Sequence, residues 1–163
     1  EIIEILVNQF THNRRNLLKE FKPVRPMNMR EITTLASIIQ GEAIHDDEMP
    51  IISSVYHNRL NNNMLLQADP TIQYIIPGKP RRLYNKDLDV DSPYNTYKYK
   101  GLPPGPINNP GLKALKAAIM PAETDYLYFV SNGEGRHIFS YSNEEHNQAK
   151  QELKRKRRLK RKM

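Results

Sequence analysis

Glu42 has the strongest claim to acid–base chemistry in this chain. Leu35, Ile38 and Ile39 follow helical spacing, and Glu42 continues it, so a carboxyl group falls on an apolar stripe. Keeping a carboxylate ionised there is costly, and its pKa is expected to rise. A glutamic acid that holds its proton near neutral pH is what a general acid requires. The residues alone leave a second reading open, a glutamate at a helix end that reaches solvent. Asp46, Asp47 and Glu48 follow closely and read as caps for the next helix, favoured by the positive end of its dipole.

Other side chains suit a sugar. Asn58, Arg59, Gln67, Asp69, Thr71, Tyr74, Tyr94, Asn95, Thr96 and Tyr97 carry groups that hydrogen-bond hydroxyls and acetamides, and their phenols offer flat faces to rings. An ordinary polar surface has the same composition, and Asp69-Pro70 also reads as an N-cap with proline in the first turn. Asp87, Asp89 and Asp91 alternate like the start of a calcium loop, but Ser92 and Lys98 stand where glycine and glutamate are needed. The five histidines lack the spacing of a metal pair. His137 could contact substrate, and a structural role is the simpler reading. Neither a nucleophile elbow nor a glycine-rich phosphate loop is present, and zero cysteines exclude disulfides, thiolate zinc sites and cysteine nucleophiles. Neither a metal nor a cofactor is expected.

The elements that must position these groups can be read from periodicity and punctuation. Glu1 to Glu20 predicts a helix with Ile2, Ile3, Leu6, Val7, Phe10, Leu17 and Leu18 as apolar positions, broken by Pro23 and Pro26. Asn28 is the expected N-cap of a second helix through Ala43, and Asp46 or Asp47 caps a third around Pro50 to Leu60. Eight of the twelve prolines lie between Pro70 and Pro110, which predicts a long ordered loop. Within it, the segment from Tyr94 to Pro110, including Pro103 and Pro104, is expected to wall an open cleft beside Glu42. Asn109-Pro110 predicts the start of a helix through Ile119, with Leu112, Leu115, Ala118 and Ile119 facing inward. Tyr126 to Val130 and His137 to Tyr141 read as a hairpin about Asn132-Gly133-Glu134-Gly135, and Ser142 with Glu145 as a capping box opening a last helix. The fold class is α+β, helices around a small antiparallel β element.

Size and charge bound what these parts can be. The chain has 163 residues, 38% apolar and 26% charged, which suits one domain with its own core. Apolar runs reach only four or five residues, too few to span a bilayer. The chain starts at Glu1 and not at Met, so it is expected to be a fragment. The net charge of +7 is unevenly spread: residues 150–163 carry +8 and the rest −1. Such a tail could bind nucleic acid or another anionic polymer, and this is the competing reading; the near-neutral body speaks against nucleic acid.

Several blocks, taken in order, resemble the YceG-like family, the endolytic murein transglycosylases of bacteria. They begin with Leu35-Ala36-Ser37-Ile38-Ile39-Gln40-Gly41-Glu42-Ala43, similar to the family's catalytic helix. Ser54-Val55-Tyr56-His57-Asn58-Arg59-Leu60 and Leu66-Gln67-Ala68-Asp69-Pro70-Thr71-Ile72-Gln73-Tyr74 follow. Then come Tyr94-Asn95-Thr96-Tyr97, Gly101 to Ile107, Asn109-Pro110-Gly111, Tyr126 to Val130, His137 with Phe139, and His146-Asn147. The match runs over 113 residues, Leu35 to Asn147.

The resemblance implies that the family's catalytic glutamate is Glu42. Many members carry an acid where this chain has Gln40, which leaves Glu42 as the single carboxylate there. It implies sugar binding by the polar set above, with Asn58, Arg59, Gln67 and Asp69 as a shell in which Arg59 pairs with a carboxylate, either Asp69 or one on the substrate. The implied chemistry is non-hydrolytic cleavage within glycan strands after N-acetylmuramic acid, leaving 1,6-anhydro ends. A hydrolase usually needs two carboxylates, whereas attack by the sugar's own 6-hydroxyl needs one. Also implied are peptidoglycan strands as substrate, peptidoglycan synthases as candidate partners, and no nucleic acid. An anchor in the inner (cytoplasmic) membrane would come through an N-terminal segment absent here, and a LysM-like segment would precede this domain. The expected division is 1–28 as lead-in helix and linker, 29–149 as catalytic domain and 150–163 as basic tail.

Overall fold

The structure, a computed structural model, describes residues 1–160. Its helices are α1 (Ile2–Glu20), α2 (Met29–Glu42), α3 (Met49–Asn61), α4 (Asp69–Ile75), α5 (Asn85–Leu88), α6 (Leu112–Ile119) and α7 (Asn143–Lys160). A 3-10 turn at Asp46–Glu48 precedes α3, and strands β1 (Tyr128–Ser131) and β2 (His137–Ser140) pair before α7. This is the α+β arrangement the sequence predicts. Residues 161–163 of the expected basic tail lie outside the described residues.

The core is built around α2. Ile32, Leu35, Ala36, Ile38 and Ile39 are buried against Ala114, Leu115, Ala117 and Ala118 of α6 and Ile52 and Tyr56 of α3. The alanines let α2 and α6 approach closely. Asn28 and Glu31 form a reciprocal capping box, the Asn28 side chain accepting from the Glu31 N–H at 3.0 Å and Glu31 accepting from the Asn28 N–H at 2.7 Å. That fixes the start of α2 and thereby the height at which Glu42 leaves its far end. In α1 only Leu17 is buried, and Ile2, Ile3, Ile5, Leu6 and Val7 are exposed.

Three expectations are corrected. Asn109-Pro110 does not open α6: the Gly111 N–H is held by the Gln40 Oε1 at 3.2 Å, so the chain stays extended, the helix begins at Leu112, and Leu112 is exposed. The stretch from Pro70 to Pro110 is not loop alone but contains α4 and α5. Asp46, Asp47 and Glu48 make no capping hydrogen bond to α3. They face Lys113, Arg136 and His137 instead: Asp46 pairs with Lys113, Asp47 pairs with Arg136 at 2.8 Å, and Glu48 lies 2.9 Å from His137 Nδ1 within hydrogen-bond reach.

The loop is held by side chains bonding to backbone. Buried Asn95 donates to the Leu88 and Val90 carbonyls and accepts from the Tyr97 N–H, closing the chain on itself without a sheet. The hairpin registers Phe129 with Phe139 and Ser131 with His137, and both phenylalanines pack on the core. Among the described residues no helix is long and apolar enough to cross a membrane.

Candidate active site

Glu42 is the last residue of α2, and its side chain is only partly accessible. Its Oε1 accepts a hydrogen bond from the Tyr56 hydroxyl at 2.9 Å. Tyr56 is itself buried on α3, its ring edge-on to Phe129 at 5.9 Å, so the phenol has little freedom to turn away. Burial pushes the Glu42 pKa up to about 8. The Tyr56 hydrogen bond acts against this, the Asp69 charge adds to it, and the Asp69 N–H and the Arg59 charge favour the ionised form. The result is a carboxyl group that holds its proton at neutral pH beside one hydroxyl donor.

The carboxyl opens onto a cleft of about 380 Å³. Gly41 and Glu42 form one side; Asp69, Pro70, Gln73 and Tyr74 of α4 form another; Pro80, Ile107 and Asn108 close the rest. Gly41 is needed for this geometry, because a Cβ there would lie 2.7 Å from the Pro70 Cβ. The wall from the proline-rich segment is pinned to α2: the Ile107 N–H donates to the Ser37 hydroxyl at 3.0 Å, and Asn108 donates to the Ser37 carbonyl at 2.8 Å. A larger hollow of about 680 Å³, bordered by Phe21, His57, Asn58 and Met120, contains no part of this constellation. Glu42, with Tyr56 bonded to it, opens onto the smaller cleft and not onto this one.

The residues expected to bind sugar divide in two. Asp69 and Tyr74 line the cleft. Tyr97 joins them by donating to the Asp69 carboxylate, and Tyr94 packs on Tyr74 with ring centres 5.0 Å apart. Burial and the Asp69 contact raise the Tyr97 pKa, so its phenol stays a donor. Thr71, Asn95 and Thr96 are buried and bond to one another or to backbone, holding the loop against α4. Gln67 is exposed in a left-handed backbone conformation, its Oε1 3.4 Å from Arg59.

Asn58 and Arg59 depart from the expected substrate shell. The Asn58 amide donates to the carbonyls of Thr124 at 2.7 Å and Tyr126 at 3.0 Å. Arg59 is buried and pairs with no carboxylate among the described residues. Its fork donates to the Leu127 carbonyl at 2.6 Å and the Leu66 carbonyl at 2.8 Å, and it lies over the Tyr128 ring. Five donors in a fixed plane suit several carbonyls at once as well as one carboxylate. The proline wall is corrected too. Pro103 is buried and Pro104 borders a separate hollow with Asp91 and Tyr99, so the cleft wall comes from Ile107 and Asn108 of the same segment.

Sequence reasoning missed Tyr56, Gln73 and Asn108 as site residues. A phenol among the apolar residues of α3 was the available signal for Tyr56, since a buried hydroxyl requires a partner.

The profile of the YceG-like family matches residues 1–152. The chain is 40% identical over 151 residues to a protein of Bacillus subtilis (strain 168) named endolytic murein transglycosylase, covering 93% of this chain and 42% of that protein. A Streptococcus pneumoniae serotype 2 protein of the same name is 33% identical, covering 81% of this chain and 25% of its own length. A crystal structure of a YceG-like protein from Listeria monocytogenes superposes with a TM-score of 0.73 at 43% identity, over 83% of this chain and 42% of that one. The chain thus spans less than half the length of these relatives. By profile, by identity and by fold, the chain belongs to the YceG-like family.

Proposed function

We propose that the cleft cleaves peptidoglycan glycan strands internally, after N-acetylmuramic acid, without water as the nucleophile. One observation carries the reading: a single glutamic acid, its pKa raised to about 8, faces an open cleft. The names of the relatives support it. Glu42 gives its proton to the glycosidic oxygen as the bond from C1 breaks. The 6-hydroxyl of the same muramic residue attacks C1, closing the 1,6-anhydro ring, and its proton passes to the Glu42 carboxylate. The Tyr56 hydroxyl stabilises that carboxylate while it exists, and the enzyme returns to its starting protonation state. Attack within one sugar gains from effective concentration, so a second catalytic carboxylate is not required.

In this reading Asp69 and Tyr97 orient the sugar, and Tyr74 with Tyr94 gives it an aromatic face. The same reading takes residues 29–149 as the catalytic domain, 1–28 as its lead-in helix and linker, and 150–163 as its basic C-terminal tail. The full-length protein is placed at the inner membrane with this domain facing the wall, where peptidoglycan synthases would supply its strands. Digestion of purified peptidoglycan followed by mass spectrometry tests the reaction. Anhydro-ended muropeptides are the expected product, and reducing ends alone would reject the mechanism.

A further inference from the structure

The hollow between α7, β1 and Arg82 lies outside the Glu42 cleft, and none of the chemistry above uses it. It has a volume of about 570 Å³. Arg82, Lys150, Lys154, Arg157 and Arg158 surround it, and Val130 and Leu153 complete its lining. The lining has no acidic residue, and among the described residues none of the five cations has an ion-pair partner. Four come from successive turns of α7 and the fifth from the loop before α5, so distant parts of the chain bring like charges together. Arg157 is positioned over the hairpin turn, with its Nη2 3.1 Å from where a Cβ on Gly133 would stand. Like charges held around one concavity repel, and an anion relieves that repulsion.

The shape and lining choose among anions. A bilayer presents a plane, which meets a ridge of cations better than a recess. Single-stranded nucleic acid is held by stacking its bases on aromatic side chains, and this lining has none. A flexible chain of phosphodiesters without bases needs neither a plane nor a stacking platform, and it can thread its charges past Arg82 and along α7.

We propose that this hollow binds a linear polyol-phosphate polymer, independently of the chemistry at Glu42. The whole chain is titrated with a fluorescently labelled glycerol-phosphate oligomer of about ten units, with anisotropy as the readout. For polyphosphates, log affinity falls with log salt by roughly 0.7 to 0.9 per neutralised phosphate, so four or five contacts give a drop on the order of a hundredfold between 50 and 200 mM salt. The pair Arg82→Gln with Lys150→Gln is expected to weaken binding at least about tenfold, since two of the five cations are lost. The control pair Arg14→Gln with Arg15→Gln on α1 removes the same charge elsewhere and is expected to cost less than about twofold. All three proteins should share one circular-dichroism spectrum. No binding, or a loss in the first pair no larger than in the control, would overturn the proposal. So would tighter binding to phosphatidylglycerol vesicles or to duplex DNA than to the oligomer.

Discussion

Replacing Glu42 by glutamine keeps the shape of the side chain and removes its proton chemistry. General acid–base groups contribute about a hundred- to ten-thousand-fold in rate, and a loss of that size in anhydro-ended product is expected from Glu42→Gln. The same variant reports on stability. With its pKa raised from 4.5 to about 8, the folded protein keeps a proton that the unfolded chain releases across that window. The wild type is therefore destabilised as pH rises from about 5 to about 8, and glutamine escapes this. The melting temperature of Glu42→Gln relative to wild type should climb over that range; a flat difference would mean that the carboxyl is well solvated. Two neighbours act in opposite directions on the pH profile. Tyr56→Phe removes a donor to the carboxylate and should move the alkaline limb of kcat/KM upward, whereas Asp69→Asn removes a repelling charge and should move it downward. Shifts of the same sign would show that at least one of the two does not act on Glu42 in this way.

Two contacts between elements keep the cleft in shape, and neither involves a charged pair. Gly41→Ala gains at most about 1 kcal/mol of helix propensity near the end of α2. It also places a Cβ 2.7 Å from one Pro70 ring carbon and 3.0 Å from another, and a proline ring cannot rotate aside. Overpacking of this kind costs about 1–3 kcal/mol, so net destabilisation is expected by urea unfolding, together with reduced turnover because α4 must move. Arg59→Lys keeps the charge and loses the fork that joins the carbonyls of Leu66 and Leu127. Leaving buried carbonyls without donors costs about 1–3 kcal/mol, and the pH dependence of turnover should stay as it is. A changed pH profile in Arg59→Lys would restore Arg59 to the reacting groups.

At the scale of the whole molecule, the basic tail is not one uniform appendage. Leu153 is buried, with Lys154, Arg157 and Arg158 bordering the hollow beyond it. Truncation after Gln151 removes that leucine and should cost about 1.5–3 kcal/mol. Truncation after Arg157 keeps it and should leave thermal stability close to that of the full chain. Turnover on soluble glycan strands, measured below the melting temperature of each form, is expected to match wild type in both. Equal stability of the two truncations would mean that Leu153 contributes nothing to the fold.

Periodicity and capping were local, so the sequence by itself determined α2, its Asn28 start, the hairpin and the position of Glu42 on an apolar stripe. The run of ordered blocks, from Leu35 to Asn147, also carried the family. Where α6 begins was beyond it, because that depends on Gln40 reaching across to the Gly111 N–H. Which polar groups face the cleft was also decided by tertiary structure. Asn58, Arg59, Asn95 and Tyr56 are all polar residues within the matching blocks, and composition cannot distinguish an amide that meets a sugar from one that meets a carbonyl. A buried polar group must find a partner, and only the packing of α3 against α2 and β1 determines which atom is within reach of each.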